Sequence, residues 1–259
     1  MDTEPKKSLG QYWLTDQASL EAICDAAKIG AGDTVLEIGP GRGSLTGHLL
    51  ARGARVIAVE YDKALVEHLR RTLVGNIEIE SDDIRRYDFN RLPLDYKLVA
   101  NIPYYLTSYL VRLLTDNKHS KPAVAALLIQ KEVAQRIAAG PGDMSLPGIF
   151  ARYYYEVSLG LIVPAALFTP SPKVDSQILR LVCRPEPLFK DLSAEDFFRV
   201  VKAGFSQRRK TLVNNLKAGL YLSKNQATAI VNDCGLDPSI RAQALTIEDW
   251  HQVALKIKL

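Results

Sequence analysis

The sequence TVLEIGPGRG, residues 34–43, decides the fold. Its first five residues are an apolar run typical of a buried strand, and its glycines follow directly. Residues 44–50 have a helical pattern, and a second apolar strand, residues 54–59, ends at Glu60, about twenty residues beyond the glycines. This order is typical of the βαβ unit of nucleotide-binding domains. The stretch therefore predicts an α/β fold that binds a nucleotide-type cofactor.

The spacing of the glycines distinguishes between cofactor classes. Dinucleotide enzymes use GxGxxG, which places the N-terminus of a helix against a pyrophosphate. This chain instead has Glu37 on the strand, followed by Gly39, Gly41 and Gly43. That pattern resembles the S-adenosylmethionine-dependent methyltransferases, whose cofactor carries a sulfonium and an adenosine but no phosphate. We expect the backbone at Gly39 and Gly41 to approach this cofactor, and the Glu60 carboxylate to accept both ribose hydroxyls.

Acidic residues also follow the third predicted strand, residues 76–80. By themselves, Asp82 and Asp83 are more typical of a solvated turn or a helix cap. In the methyltransferases that the glycine pattern resembles, an acidic residue at this point accepts a hydrogen bond from the adenine amino group. Asp83 matches that position, and we therefore predict that it binds the cofactor.

The next predicted strand ends in the sequence NIPY, residues 101–104. Pro103 has no N–H to donate, so strand pairing should stop there, and residues 104–116 have a helical apolar spacing. The turn thus presents an amide side chain beside a stackable ring, which suits a nucleobase with an exocyclic amine. An ordinary turn of the Asn-Pro type has the same four residues, so this interpretation depends on the rest of the chain.

Predicted strands and helices alternate up to a last strand, residues 177–182. The alternation indicates a mostly parallel sheet, whose ligands gather at the carboxyl ends of the strands. A proline-rich linker, residues 184–187, follows. Beyond it, only helical patterns occur, over residues 194–203, 206–218, 224–234 and 247–257. The sequence therefore predicts one domain over residues 1–185 and a small helical domain over residues 186–259.

Composition limits the classes of function. Hydrophobic residues make up 47% and charged residues 24% of the chain, which is ordinary for a globular protein, and the net charge is +4. The three cysteines lie far apart and outside CxxC pairs, which argues against a disulfide framework and against a zinc site. No apolar run approaches the length of a membrane span, and residues 1–7 lack an apolar signal-peptide core. We expect a cytoplasmic protein that binds no membrane and no metal.

The predicted helical domain contains a basic stretch. Between Phe197 and Asn232 there are seven basic residues and no acidic one. If a helix continued past Gly204, one of its faces would carry Arg199, Lys202, Arg209, Lys210 and Lys217. A charge run is usually a solvated face. Without counter-charges, and attached to an enzyme that binds a base, it is a candidate for contacting phosphates.

Several longer motifs point to one family. They are the stretch from Lys6 and Lys7 to Asp16, EIGPGRGSLT over residues 37–46, NIPY, FTPSPKVDS over residues 168–176, FSQRRKTL over residues 205–212, and RAQAL over residues 241–245. Over nearly its whole length, the chain resembles the small-subunit ribosomal RNA adenine-N6 dimethyltransferases. The resemblance implies a Rossmann-like S-adenosylmethionine-dependent methyltransferase domain with a small C-terminal all-helical domain.

The resemblance also implies the substrate and the site. The expected reaction adds two methyl groups to N6 of each of two adjacent adenines, in a hairpin near the 3′ end of small-subunit rRNA. The expected partner is this rRNA within the immature small ribosomal subunit during ribosome biogenesis, and we expect the protein to be a monomer. Arg208, Arg209 and Lys210 are expected to bind the RNA. The cofactor would bind residues that match Tyr12, Leu14, Gly39, Glu60, Asp83 and Asn101.

The chain departs from the family pattern in two places. Family members commonly have Asn-Phe where this chain has Tyr12 and Trp13, so the expected contact of Tyr12 is through its backbone. The stretch from Met144 to Gly148, which contains Pro147, is also atypical. The family's local rRNA contacts are therefore not carried over to this stretch.

The residues of the NIPY motif suggest how an adenine amine is methylated. The N6 lone pair is delocalised into the ring, so the free amine is a poor nucleophile. We expect the Asn101 side-chain carbonyl and the Ile102 backbone carbonyl to accept the two N6 hydrogens, which stabilises the transition state more than the ground state. After Pro103, Tyr104 is expected to stack on one face of the flipped base, and Phe168 to close the other. The methylated amine loses its proton easily, so no strong base is required.

Three alternatives remain open. The antibiotic-resistance methyltransferases of large-subunit rRNA share the Asn-Ile-Pro and Phe-x-Pro-x-Pro motifs, although the match over residues 205–212 favours the small-subunit enzymes. A non-catalytic ribosome-assembly or transcription factor would keep the same fold, and the intact Gly39, Glu60, Asp83 and Asn101 speak against it. A nicotinamide dehydrogenase is disfavoured because the GxGxxG spacing is absent.

Overall fold

The computed structural model describes residues 4–6, 9–116 and 120–257, so Lys7 of the N-terminal motif lies outside the described residues. The chain divides into two compact units. The first comprises Met1–Gln135 and Tyr155–Cys183, and the second comprises Arg136–Tyr154 and Arg184–Leu259. The segment from Arg136 to Tyr154 is thus grouped with the helical unit, although the sequence placed it in the α/β domain. The predicted domain boundary after residue 185 remains a prediction.

The first unit is built on strands. In chain order they are β1 (Trp13–Leu14), β2 (Thr34–Ile38), β3 (Arg55–Glu60), β4 (Ile77–Ser81), β5 (Lys97–Asn101), β6 (Val124–Gln130), β7 (Tyr155–Val163), β8 (Phe168–Thr169) and β9 (Ser176–Cys183). Seven of them form a sheet in the order β4-β3-β2-β5-β6-β9-β7, and β1 pairs separately with β8. The five strands from β4 to β6 run parallel, whereas β9 is antiparallel to both neighbours. The mostly parallel sheet matches the expected Rossmann-like fold.

The helices between the strands follow the predicted alternation. They are α1 (Gln17–Ala26), α2 (Ser44–Ala51), α3 (Lys63–Thr72), α4 (Thr107–Leu114) and α5 (Lys131–Ala138). The Asp16 side chain caps α1 by accepting a hydrogen bond from the Ser19 N–H, and Asp62 caps α3 through the Ala64 N–H. The helix predicted from residue 104 begins at Thr107, because residues 104–106 form a tighter 3-10 turn after Pro103.

The chain changes its direction of winding between β2 and β5. β3 and β4 are added on one side of β2, whereas β5 pairs with its other side, with Val35 opposite Lys97. At such a switch point, the carboxyl ends of two neighbouring strands leave a crevice. β2 ends at Ile38, just before the glycines, and β5 ends at Asn101. The fold therefore brings the two central motifs to one crevice.

The second unit is helical. Its helices are α6 (Leu146–Tyr154), α7 (Ala194–Gly204), α8 (Leu212–Gly219), α9 (Lys224–Asp233) and α10 (Ile247–Lys256). Trp250 is fully buried in its core, and a Cβ at Gly204 would overlap the Trp250 ring, so only glycine fits at the end of α7. The atypical Met144–Gly148 stretch leads into α6. None of the helices in the described part of the chain is long and apolar enough to cross a membrane.

The condition for a basic helix face over residues 199–217, a helix that continues past Gly204, is not met. Residues 205–211 form a turn, and the helix predicted from residue 206 begins only at Leu212. The buried Asn215 side chain explains the break, because its Nδ2 donates to the Gly204 carbonyl at 2.6 Å and to the Gln207 carbonyl at 3.1 Å. The Gly204 carbonyl is therefore bonded to a side chain, and the Gln207 carbonyl also accepts from the Lys210 N–H in a turn of three residues.

Candidate active site

A cavity of about 380 Å³ opens at the carboxyl ends of β2, β3 and β5. Eleven residues that the sequence predicted for cofactor binding or catalysis line this one cavity, namely Tyr12, Leu14, Gly39, Gly41, Glu60, Asp83, Asn101, Ile102, Pro103, Tyr104 and Phe168. The three predicted RNA-binding residues lie in the second unit. The structure thus brings the glycine-rich turn and the NIPY motif together around a shared space.

The glycine-rich turn exposes its backbone to the cavity. Gly39, Gly41 and Gly43 have φ values of 66°, 60° and 85°, a region that other residues rarely adopt. A Cβ at Gly39 would meet no atom within 4 Å, whereas a Cβ at Gly43 would lie 2.9 Å from the Leu69 side chain. Gly39 therefore leaves room for a ligand, and Gly43 makes room for α3.

The Glu60 carboxylate ties this turn to the end of β3. Its Oε2 accepts a hydrogen bond from the Gly41 N–H at 3.2 Å, and its Oε1 accepts one from the Asp62 N–H at 2.9 Å. Burial raises the pKa of Glu60, and these backbone N–H groups oppose that rise. A carboxylate has about four lone-pair sites, so Glu60 can accept further hydrogen bonds from ligand hydroxyls.

Glu37 is a functional candidate to which the sequence analysis gave no role. It lies in the middle of β2, is 1% exposed and lines the cavity. Burial raises its pKa to about 8, the Thr46 hydroxyl lowers it, and the Glu60 charge raises it. Among the described residues, its Oε2 has no hydrogen-bond partner. Because a buried carboxylate favours a positive charge beside it, the cavity suits a cationic ligand. The sequence did contain a signal for this role, because Glu37 is an acidic residue inside an otherwise apolar strand.

Asp83 is already paired with a basic side chain. The Arg85 Nε donates to both carboxylate oxygens of Asp83 at 2.9 Å. The hydrogen bond from Arg85 is the main cause that holds the pKa of Asp83 below its ordinary value. Asp83 is therefore ionised and available as an acceptor, and a ligand amino group would share it with Arg85.

The N-terminal arm, residues 9–14, contacts Asn101 and Tyr104, the first and last residues of the NIPY motif. The Asn101 Nδ2 donates to the Tyr12 carbonyl at 3.5 Å, which leaves Oδ1 as the acceptor of this amide. The Tyr12 ring stacks with the Tyr104 ring at a centroid distance of 5.6 Å, and the Tyr104 hydroxyl lies 3.1 Å from the Ser176 Oγ. Tyr12 thus contacts the NIPY motif through both its backbone and its ring, while its backbone contact with the cofactor stays a prediction.

Two very short strands bring Phe168 to the cavity. β1 pairs with β8, so that Leu14 lies opposite Phe168 and Trp13 lies opposite Thr169. The Arg42 guanidinium lies 5.0 Å from the centroid of the Trp13 ring, which is a cation–π contact. The arm therefore contacts the glycine-rich turn as well as the segment that carries Phe168.

The predicted RNA-binding residues occupy a turn in the second unit. Residues 208–210 are all exposed between α7 and α8, and Thr211 caps α8 through the Asn214 N–H. Asn215, which is 2% exposed, holds this turn through the bonds described above. The three cations are thus presented together on a turn, a geometry that suits a phosphate backbone.

Comparisons with known proteins agree with this geometry. A family model described as ribosomal RNA adenine dimethylase matches residues 3–258. The chain is 40% identical over 256 residues to a ribosomal RNA small subunit methyltransferase A of Dehalococcoides mccartyi (strain CBDB1), covering 97% of this chain and 88% of the relative. It is 39% identical to the protein of the same name in Moorella thermoacetica, covering 96% of this chain and 91% of the relative.

Solved structures show the same similarity. A dimethyladenosine transferase from Plasmodium falciparum has a TM-score of 0.80 and 26% identity, covering 94% of this chain and 96% of that one. The 23S rRNA methyltransferase ErmE has a TM-score of 0.77 and 27% identity, covering 95% of this chain and 99% of that one. The chain therefore belongs to the ribosomal RNA adenine dimethylase family, whose members are S-adenosylmethionine-dependent rRNA adenine dimethyltransferases.

Proposed function

We propose that this protein dimethylates N6 of two adjacent adenines in a hairpin near the 3′ end of small-subunit rRNA, with S-adenosylmethionine as the methyl donor. The observation that carries the proposal is the position of Asn101. Asn101 lines the same cavity as the glycine-rich turn and Glu60, and the contact of its Nδ2 with Tyr12 leaves its Oδ1 as an acceptor. An adenine amine and a methyl donor would meet in this cavity. The relatives named small subunit methyltransferase A support the choice of rRNA.

The chemistry of the cavity fits S-adenosylmethionine. When bound, this cofactor supplies a methyl group on a sulfonium, and its positive charge would favour the ionised form of the buried Glu37, whose Oε2 has no hydrogen-bond partner among the described residues. Glu60 would accept the ribose hydroxyls, and Asp83 would accept the adenine amino group. The open space at Gly39 admits a ligand close to the backbone. The residues that would hold the cofactor are Tyr12, Leu14, Gly39, Gly41, Glu60, Asp83 and Asn101.

The NIPY motif would hold the target base. The Asn101 Oδ1 and the Ile102 carbonyl accept the N6 hydrogens, and these bonds strengthen as positive charge develops on the nitrogen. Tyr104 stacks on one face of the base, and Phe168 closes the other. Pro103 ends the strand at this point, so the motif turns away from the sheet. These residues position and polarise the amine, and none of them needs to act as a strong base.

We further propose that the protein acts as a monomer on the immature small ribosomal subunit and that residues 208–210 bind rRNA phosphates. The exposure of all three side chains on one turn supports this role. It also explains why the basic stretch lacks acidic residues, because a carboxylate there would repel phosphate groups.

The test is methyl transfer from radiolabelled S-adenosylmethionine to immature small subunits and, separately, to naked large-subunit rRNA. We expect label in the small subunit, and mass spectrometry should find two adjacent N6,N6-dimethyladenosines in its rRNA. In cells without this protein, both modified adenosines should be absent. Label only in large-subunit rRNA would favour the second candidate, the 23S rRNA activity that the similarity to ErmE suggests. Cofactor binding without transfer to either substrate would indicate a non-catalytic factor.

A further inference from the structure

We propose that Tyr105 forms a second base-binding site, on which the nucleobase next to the target adenine stacks. The inference rests on the proposed function, because it concerns the RNA strand beside the target base. Its ligand class is an unpaired nucleobase in a flexible strand. Tyr105 lines the cavity, together with Tyr104, which is proposed to stack on the target.

The two neighbouring tyrosines have different environments. The Tyr104 ring stacks with Tyr12, and its hydroxyl lies within hydrogen-bond distance of Ser176. Tyr105 is 62% exposed, one of the more exposed large hydrophobic residues in the described part of the chain. So exposed a ring contributes little to the core, and its position at the edge of the cavity makes it available to a ligand.

The Tyr105 ring is supported on one side by the N-terminal arm. The Gly10 backbone lies beside the ring, close enough that a Cβ added there would be 3.5 Å from both Cδ1 and Cε1 of Tyr105. Gly10 has a φ of 62°, so the arm turns sharply beside the ring. The arm therefore limits the space on this side of the ring, while most of the ring surface remains in solvent. A restrained, exposed ring is a suitable stacking platform, because little side-chain freedom is lost on binding.

The chemistry around Tyr105 also suits single-stranded RNA. Tyr61, which is 62% exposed, and Arg85 line the same cavity. Asp83 neutralises part of the Arg85 charge through an ion pair. The neighbouring Asp82 and Arg86 are both exposed and carry opposite charges. Exposed rings mixed with guanidinium groups are typical of sites that bind unpaired nucleotides.

The proposed reaction requires a place for the base next to the target adenine. A base that enters the cavity leaves its stack, and its neighbour loses a stacking partner. The Tyr105 ring would replace that partner. Because both adjacent adenines are methylated, the strand must advance by one nucleotide between the two reactions. A stacking site beside the target site would hold the waiting adenine in one step and the finished one in the other.

The test combines Tyr105→Ala with a change in the RNA. Immature small subunits are reconstituted with rRNA whose 3′ segment carries either the natural base or an abasic nucleotide beside the target adenine. On natural rRNA, we expect Tyr105→Ala to raise KM about tenfold with little change in kcat. On abasic rRNA, the variant and the wild-type protein should have the same KM. Tyr105→Phe, which keeps the ring, should behave as wild type.

Leu94→Ala is the matched control, because Leu94 is 88% exposed and lies before β5, at the opposite end of the strand from Asn101. An unchanged KM for Tyr105→Ala on natural rRNA would overturn the inference, as would an equal loss on abasic rRNA. Failure of the proposed function would look different, since the wild-type protein would then not methylate the subunits at all, and both proposals would fall.

Discussion

The two walls of the cavity are built in different ways. The β2–β3 wall consists of the glycine-rich turn with Glu37 and Glu60, and it offers backbone N–H groups and buried carboxylates. The β5 wall consists of residues 101–105, and it offers one amide side chain and two rings, of which Tyr105 is exposed. A wall that always meets the same cofactor can be fixed by buried groups. A wall that meets a flexible RNA strand needs side-chain surfaces that remain open.

The largest effect should come from the β5 wall. We expect Asn101→Ala to lower kcat at least about 100-fold, because it removes an acceptor that stabilises the developing charge on the amine. Cofactor affinity, measured by calorimetry, should fall far less than kcat, because six other residues would still hold the cofactor. Turnover within about tenfold of wild type, equivalent to about 1.4 kcal/mol, would contradict the proposed role of Asn101.

The β2–β3 wall should show the reverse pattern. In Glu60→Gln, the carboxylate that would accept the ribose hydroxyls becomes a neutral amide with one acceptor oxygen, so we expect the Kd for S-adenosylmethionine to rise about thirtyfold, or about 2 kcal/mol. At saturating cofactor, kcat should be close to wild type. Glu80→Gln is the control, because Glu80 lies in the neighbouring β4 and contacts Tyr87 and Arg91 instead. A loss of kcat with unchanged cofactor affinity would show that Glu60 acts in turnover rather than in cofactor binding.

The basic turn of the second unit, residues 208–210, should contribute to rRNA binding and not to cofactor binding. Replacing Arg208, Arg209 and Lys210 by alanine should weaken rRNA binding about tenfold and flatten its salt dependence. For three lost phosphate contacts, the slope of log K against log salt should fall by about 2. Cofactor affinity should stay at the wild-type value. An unchanged slope would show that these cations do not contact phosphates.

The last effect is on the stability of the protein without ligands and concerns its pH dependence. Burial raises the pKa of Glu37 from 4.5 to about 8 in the folded protein. The folded protein therefore keeps a proton that the unfolded chain releases, and its stability falls as the pH rises through this window. Glu37→Gln removes this titration. The difference in free energy of unfolding, variant minus wild type, is measured by denaturant titration without cofactor. As the pH rises, this difference should increase by at most about 1.4 kcal/mol per pH unit. A constant difference would contradict the raised pKa.

The sequence predicted the centre of the first unit well, for a physical reason. Parallel strands buried on both faces are near-continuous apolar runs, and in this chain such runs end in glycines, Glu60 and Asn101. Strand boundaries shifted by about one residue, which is ordinary for such assignments. The pairing of β1 with β8 could not be predicted. Strands of two residues have no periodicity, and the pairing joins segments that are far apart in the chain.

The second unit was harder to predict. The basic stretch has no proline between residues 203 and 212, so the sequence left open whether a helix continues past Gly204. The hydrogen bonds of the Asn215 side chain show why the chain turns there. The assignment of Arg136–Tyr154 to this unit depends on tertiary packing. Tyr153, for example, stacks with Phe197 at 5.1 Å between ring centroids. Contacts of this kind leave no periodic trace in a sequence.

The contact between Trp13 and the glycine-rich turn has a practical consequence. The chain has two tryptophans, and Trp13 lies against Gly41 and Arg42 at the cavity, whereas Trp250 is sealed in the helical core. Indole fluorescence responds to nearby polarity and charge. Filling the cavity would therefore alter the emission of Trp13, while Trp250 provides a constant internal reference. The protein carries its own optical reporter of occupancy, with no label attached.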